Sequence, residues 1–404
     1  MQKISRFLRP IIELGLLALF TLFLILLFRS RPQPAGLLSQ AEATLPVAYP
    51  AAATHLPVEN DIQTYPPPGE EEAPATRLPR RVQALAEKRA ALEGASAVML
   101  EGGRLWQLPA EGPVTQLTDY NDVAVLYGWN FDGTKLLFGR GLYTTTGNFL
   151  AETTELWIYV ESTNQSFRLF DSQKIMSASW SPVNDRLAFY EHGENPNLVV
   201  ATSDGRILTT RENLFWDFTW SPDGSAIAVR YSGNELFVFG TQYTVLGVWW
   251  LEKDELHLLS NATREDHSNP VWTIDGRRII FTRLFAGNEA GIDGLYIVDT
   301  ITNQIELLPH SPELITFGVN RSPRSDTLVF NVGENLYTME LGQKPSLIGK
   351  GSNPLWHPNG MTIFYTDKND VDQEVALQTA VIDQFAGGSF GVRSIQNQPK
   401  IFFK

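Results

Sequence analysis

A tryptophan, a tight turn and an apolar strand return five times in this 404-residue chain, and a sixth copy keeps the turn and strand without the tryptophan, at a mean spacing of about 45 residues. That recurrence predicts an all-β body built as a β-propeller, because a four-strand unit repeated every 40–50 residues or so is the pattern of propeller blades. Two further observations frame the body. An apolar run near the N-terminus predicts one transmembrane helix, and a Pro-rich stretch behind it predicts a linker. The expected organisation is a membrane anchor with a short cytoplasmic tail at 1–31, a linker at 32–79, a short helix at 80–95 and the propeller at 96–404.

The anchor comes first. Lys3, Arg6 and Arg9 precede the apolar run Pro10–Phe28, and Arg29 and Arg31 close it. As a helix the run spans about 28 Å, close to a bilayer core. Glu13, its one charge, lies in the first turn, where a carboxylate suits a helix N-terminus. A cleaved signal peptide has a shorter apolar region followed directly by a small-residue site. Here Ala41-Glu42-Ala43 begins 13 residues past the run. The reading is an uncleaved single span, with residues 10–28 in contact with lipid. Three basic residues before the span and two after it orient the N-terminus inward and the body outward.

From Pro32 to Pro79 lie 10 of the 24 prolines, including Pro66-Pro67-Pro68, followed at once by Glu70-Glu71-Glu72. Such a stretch has too few backbone donors for ladders and prefers extended conformations, so it reads as a semi-rigid spacer. Arg80 to Leu92 is rich in Ala, Leu, Glu and Arg and predicts a helix that Gly94 stops.

The repeat follows. Its clearest copy is Trp220-Ser221-Pro222-Asp223-Gly224 before Ala226-Ile227-Ala228-Val229. Others start at Trp129, Trp180, Trp272 and Trp356, and a degenerate copy reads Asn320-Arg321-Ser322-Pro323-Arg324. Pro presets φ in a turn, Asp or Asn bonds nearby amides, and Gly accepts positive φ. The Trp supplies a large plate for packing between units. A second element, Leu156-Trp157-Ile158-Tyr159 with Thr163-Asn164-Gln165, returns 139 residues later as Leu295-Tyr296-Ile297-Val298 with Thr302-Asn303-Gln304. Leu236-Phe237-Val238-Phe239 and Leu336-Tyr337-Thr338-Met339 read as weaker versions of its strand. Residues 241–271 hold an extra strand pair around Trp249-Trp250 and Leu256-His257-Leu258.

Trp-x-Pro-Asp-Gly followed by an apolar strand resembles the TolB-type propeller repeat, a bacterial relative of WD-type repeats. The resemblance spans about residues 96–404, with the Trp220 copy the nearest match and the Asn320 copy the poorest. It implies six blades and protein–protein interaction in the cell envelope. Seven blades stay open. Ala97 to Leu117 reads as the later part of a blade, and the segment after Phe385 can supply its missing first strand.

Composition bounds the chemistry. A formal net charge of −13 argues against a nucleic-acid partner. The absence of Cys excludes disulfides, thiolate catalysis, Cys-ligated zinc and iron–sulfur clusters. No two of His55, His192, His257, His267, His310 and His357 sit at metal-ligand spacing, and they read as surface or loop residues. No Gly-x-Ser-x-Gly elbow or phosphate loop is present. The acidic run Asp367–Glu374 lacks the glycine of an EF-hand and reads as a polar loop. No residue is assigned to catalysis, a cofactor or a metal. The candidate binding residues are Trp249 and Trp250, whose adjacency on a strand points them to opposite faces. The function expected is a binding or scaffolding module for an unknown envelope protein. The alternative is a hydrolase or lyase acting on envelope glycans or peptides through carboxylates at the channel mouth.

Overall fold

The computed structural model describes residues 78–87, 94–141, 153–192, 196–233, 236–238, 241–260, 265–285, 291–312, 316–366, 378–381 and 401–403, all within one compact unit, Ile62–Lys404. The expected anchor, nearly all of the linker, and the acidic run Asp367–Glu374 lie outside these residues. No helix among the described residues is long and apolar enough to cross a membrane. Helix α1 is described over Arg80–Glu87, and residues 88–93 of the expected helix lie outside the described residues. Its Val82 is buried among Ala97, Met99, Trp106 and Phe364, so tertiary packing holds this short helix.

Apart from a 3-10 turn at Glu161–Thr163, the regular elements that follow among the described residues are strands in antiparallel ladders. β1 (Ala97–Glu101), β2 (Arg104–Leu108) and β3 (Thr115–Gln116) form the first meander. β4 (Val123–Trp129), β5 (Lys135–Arg140), β6 (Thr153–Val160), β7 (Gln165–Trp180), β8 (Arg186–Glu191), β9 (Asn197–Thr202) and β10 (Ile207–Glu212) form one continuous sheet. The 16-residue β7 serves two units: its first half pairs with β6 and its second half with β8. β11 (Thr219–Trp220) and β12 (Ala226–Tyr231) pair on into β15 (Val245–Trp250) and β16 (Glu255–Leu258). The hairpin β13 (Phe237–Val238) and β14 (Thr241–Gln242) interrupts that unit. Two four-stranded sheets follow: β17 (Glu265–Trp272), β18 (Arg278–Phe285), β19 (Gly294–Asp299) and β20 (Ile305–Leu307), then β21 (Thr316–Arg321), β22 (Leu328–Val332), β23 (Asn335–Met339) and β24 (Ser346–Lys350). The last is β25 (Ser352–Trp356), β26 (Thr362–Thr366) and β27 (Gln378–Val381). β28 (Ile401–Phe403) returns to the first meander and pairs with β1, Ala97 opposite Phe403, as the missing first strand required.

The six motif copies occupy equivalent places. In each, the motif residue faces the residue seven positions later: Trp129–Leu136, Trp180–Leu187, Trp220–Ile227, Trp272–Ile279 and Trp356–Ile363. In the degenerate copy the pair is Arg321–Leu328, so Arg321, and not Asn320, stands where the others have Trp. The indole N–H crosses to the preceding unit. Trp180 donates to the Gly128 carbonyl at 3.0 Å, Trp220 to Ser179 at 3.4 Å, Trp272 to Thr219 at 3.1 Å and Trp356 to Asn320 at 3.5 Å. Each acceptor lies one residue before the motif position of the preceding unit. Arg321 substitutes a guanidinium donor, 2.8 Å from the Trp272 carbonyl.

Second strands are apolar on both faces because both faces meet a neighbour. On β12, Ile227 and Val229 pack with Trp220, Tyr190 and Val200, whereas Ala226 and Ala228 pack with Trp272, Phe281 and Val298. Two readings need correction here. Leu256-His257-Leu258 and Trp249-Trp250 are the regular fourth and third strands of their unit. The inserted pair is the hairpin containing Phe237-Val238, which the sequence assigns to the third strand. β15 wins that place because all six of its residues pair with β12 and five of the six are buried.

Replacing Trp272 by Ala is expected to cost about 3–5 kcal/mol in urea unfolding of the purified protein. Trp272→Phe keeps a ring but leaves the Thr219 carbonyl without its donor, and should cost about 1–3 kcal/mol. Equal midpoints for all three proteins would refute the coupling between units.

Candidate functional site

In a meander, turns from first to second strand and from third to fourth strand leave at one end. Connections from second to third strand, and onward to the next unit, leave at the other. The first, the turn end, is uniform. The amide one residue after the motif position donates to the carbonyl six residues after it in all six copies, at 2.8–2.9 Å. Asn130, Ser181, Ser221, Thr273, Ser322 and His357, one residue after the motif position, are all buried, and each accepts a backbone N–H of its own turn. The sequence reading passed over this polar position. Neighbouring turns are then tied together: Asn130 to Asp185 at 3.1 Å, Arg186 to the Gly224 carbonyl at 2.9 Å, the Ile274 amide to Asp326 at 2.7 Å, and Ser322 to the Gly360 carbonyl at 3.0 Å. Gly224 is required here twice over. Its φ is 66°, and a Cβ would lie 2.7 Å from both Ser181 and Val183 side-chain atoms.

At the opposite, loop end, charged groups converge. Arg140 forks onto Asp122 at 2.8 and 2.7 Å and lies between the rings of Tyr120 and Trp157, 4.0 and 4.5 Å from their centroids. Arg283 forks onto Glu265 at 2.7 and 2.5 Å and lies over Tyr296 at 5.0 Å. The two clamps are equivalent. Their carboxylates stand seven residues before the motif Trp, their arginines eleven after it, and Trp157 and Tyr296 correspond in the 139-residue repeat. Those offsets are the sequence signal that would have found them.

Beside the second clamp, Arg230 spans two units. One guanidinium nitrogen donates to Asp217 at 3.0 Å and another to Asp266 at 3.0 Å, while the Phe215 ring covers the group at 4.6 Å. Asp217 also accepts the Asn269 amide of the next unit at 3.1 Å. Burial pushes the Asp217 carboxyl above the usual range, against the opposing pull of Arg230. Burial also opposes ionisation of Glu265, but hydrogen bonds from His267 and Arg283 outweigh it and bring its pKa to about 2.

His267 is wholly buried inside strand β17, which corrects its reading as a surface or loop residue; His357 keeps its place in a turn but is nearly buried there. The His267 Nδ1 accepts the Leu246 amide at 3.1 Å, so its proton sits on Nε2 and points at Glu265, 3.1 Å away. Burial keeps this imidazole neutral by lowering its pKa. Two carboxylates with opposite shifts resemble the division of labour in acid–base catalysis. Glu265, however, is held on both oxygens.

Trp249 and Trp250 do point to opposite faces. Trp249 has no exposed surface; it packs with Trp220 and Ile227, donates to Asp254 at 2.8 Å and carries Arg211 over its ring at 5.4 Å. Trp250 is half-buried against the cluster of Trp272 and Phe281. The structure does not bring either to the Arg230 cluster. A shallow cavity of about 590 Å³ lies nearer Trp249, lined by Arg211, Glu212, Tyr231, Leu256 and Leu258 among others.

No protein-family model and no curated protein sequence matches the chain. Among solved structures it is similar to an oligogalacturonate lyase in complex with manganese, at 14% identity over 70% of this chain and 83% of that one, with a TM-score of 0.54. It is also similar to TolB from Acinetobacter baumannii, at 16% identity over 71% and 67% with a TM-score of 0.45. A third is the β-propeller domain of the Trilobed protease from Pyrococcus furiosus, at 14% over 70% and 84% with a TM-score of 0.49. The likeness to the lyase is one of fold. With the repeated four-stranded units, it makes the body an all-β propeller.

Acid stability should separate the two carboxylates. Glu265 has a folded pKa below its unfolded value, so its contribution is complete above about pH 4.5 and lost as pH falls toward 2. Asp217 is shifted the other way, so its penalty is relieved as pH falls through its raised folded pKa. Unfolding free energies measured from pH 7 to 3 should therefore fall less steeply in Glu265→Gln and more steeply in Asp217→Asn. Parallel slopes in wild type and both variants would contradict the assignment.

Proposed function

We propose that this chain is a membrane-anchored, extracytoplasmic β-propeller that binds a protein partner of the cell envelope at its loop end. The observation that carries this reading is the contrast between the two ends. Turns from first to second strand are five or six residues long and locked to their neighbours. Connections from second to third strand are 102–103, 141–152, 192–196, 232–244, 286–293, 333–334 and 367–377. Variation confined to one end of a rigid scaffold is how loops carry recognition. The same seven connections favour seven blades over the six that the repeat family implies, with β7 shared between two blades and β28 completing the first. The apolar run at 10–28 and its flanking basic residues support the anchor and its orientation.

A second reading, a hydrolase or lyase working through carboxylates at the channel mouth, draws on one observation. Asp217 is the carboxyl group whose pKa burial raises, as a general acid requires.

Photo-crosslinkers placed at Lys174 and Glu212 of the loop end, and at Asp132 and Asp223 of the turn end, test the binding reading in native membranes. The partner should be captured from the loop end. Capture from the turn end alone, or from neither, would overturn the assignment. Added protease should digest the body in spheroplasts before lysis; digestion only after lysis reverses the orientation.

A further inference from the structure

All ten tryptophans lie among the described residues, and nine are buried or half-buried. Trp216 alone is exposed, at 39%. It belongs to no motif copy. It sits at the loop end, in the connection 213–218 between β10 and β11.

This connection is built to hold the indole out. Asn213 adopts φ 61° and accepts the Ser232 amide at 2.8 Å. The Phe215 amide donates to the Arg230 carbonyl at 2.9 Å, and the Ser177 hydroxyl donates to the Trp216 carbonyl at 2.6 Å. Leu214 is driven inward, 2% exposed, and Phe215 lies flat on Arg230. Three consecutive side chains thus point in, across and out. An exposed indole on a backbone fixed from both sides adds little to folding, but it has the form of a binding hot spot.

The chemistry beside it is acidic. The Trp216 ring lies 5.2 Å from the Phe215 ring, and the guanidinium under Phe215 joins Asp217 to Asp266. Two carboxylates against one guanidinium leave a net negative site. The Asp266 side chain is 36% exposed, and only its Oδ1 is engaged among the described residues.

We propose that Trp216, with Asp266, anchors an extended partner segment bearing lysine or arginine. One basic side chain of the segment stacks on the indole face and another pairs with Asp266. The chain's net charge of −13 draws such a segment in. The proposal rests on the binding reading above and assigns the chemistry of its surface.

The test uses a fluorescein-labelled decapeptide alternating Lys and Ser, and its Glu-for-Lys counterpart, titrated by anisotropy against the full chain in detergent. The Lys peptide should bind saturably, weaken with added salt, and bind at least tenfold more weakly to Trp216→Ala and Asp266→Asn. Trp216→Tyr should keep part of the affinity, and Phe131→Ala at the turn end should keep all of it. Equal binding of the Glu peptide, undiminished binding to Trp216→Ala, or no saturable binding of the Lys peptide would each refute it. Loop-end crosslinks that persist in Trp216→Ala would leave the binding reading standing and remove only this one.

Discussion

The architecture depends on one hydrogen bond, made repeatedly: an indole N–H of one unit to a carbonyl on the first strand of the unit before. A carbonyl at the end of a short strand needs a donor once a neighbouring sheet covers it. Phe or Leu would fill the space and leave that oxygen unsatisfied. Trp supplies both the plate and the donor, and in four of the five tryptophan copies, those of Trp180, Trp220, Trp272 and Trp356, it makes this bond. The sixth proves the rule by its chemistry. Arg321 is no plate, yet its guanidinium reaches the Trp272 carbonyl and keeps the donor. What the fold holds constant here is a hydrogen bond between units, with packing around it.

That constraint was half legible. Trp, turn and apolar strand stand in linear order, so the repeat and its period could be read directly. The missing first strand of the first unit could be inferred too, and β28 fills it. Where local residues were ambiguous, the reading slipped. Asn320 precedes an Arg, and nothing local says which of the two takes the place of Trp; only the pairing with Leu328 does. Leu236-Phe237-Val238 has the composition of a third strand, but Val245–Trp250 pairs with β12 along its whole length and takes that place, leaving Phe237-Val238 in a hairpin insertion. The clamps were invisible for a different reason. Their members lie 18 residues apart in sequence, and no local chemistry joins Asp122 to Arg140 or Glu265 to Arg283. The sequence also drew attention to Trp249-Trp250 as the conspicuous pair, whereas exposure, which decides availability, belongs to Trp216.

Recurrence also sorts structure from function among the charges. A bidentate pair capped by an aromatic ring, found at equivalent positions of two units, answers a need common to both: satisfying an arginine at the end of the second strand where the sheet opens to solvent. Partly buried pairs of this kind contribute less to net stability than their geometry suggests, because desolvation and solvent screening offset attraction. Their value lies in fixing which carboxylate meets which arginine, and so in tying the start of the first strand to the end of the second.

The Trp220 unit, one of those without the clamp, uses its arginine differently. In the clamped units the carboxylate stands seven residues before the motif Trp and the first strand starts there or one residue later, at Glu265 and Val123. In the Trp220 unit that place is Asn213, and the arginine falls one residue earlier, at Arg230 instead of position 231. Side chains alternate along a strand, so a shift of one sends the guanidinium to the other face. There it bridges Asp217 and the next unit's Asp266. In this unit the continuous first strand is only Thr219–Trp220, and Leu214 meets β12 as an isolated bridge opposite Tyr231. The segment that carries the exposed Trp216 thus lies beside the two carboxylates that this displaced arginine joins.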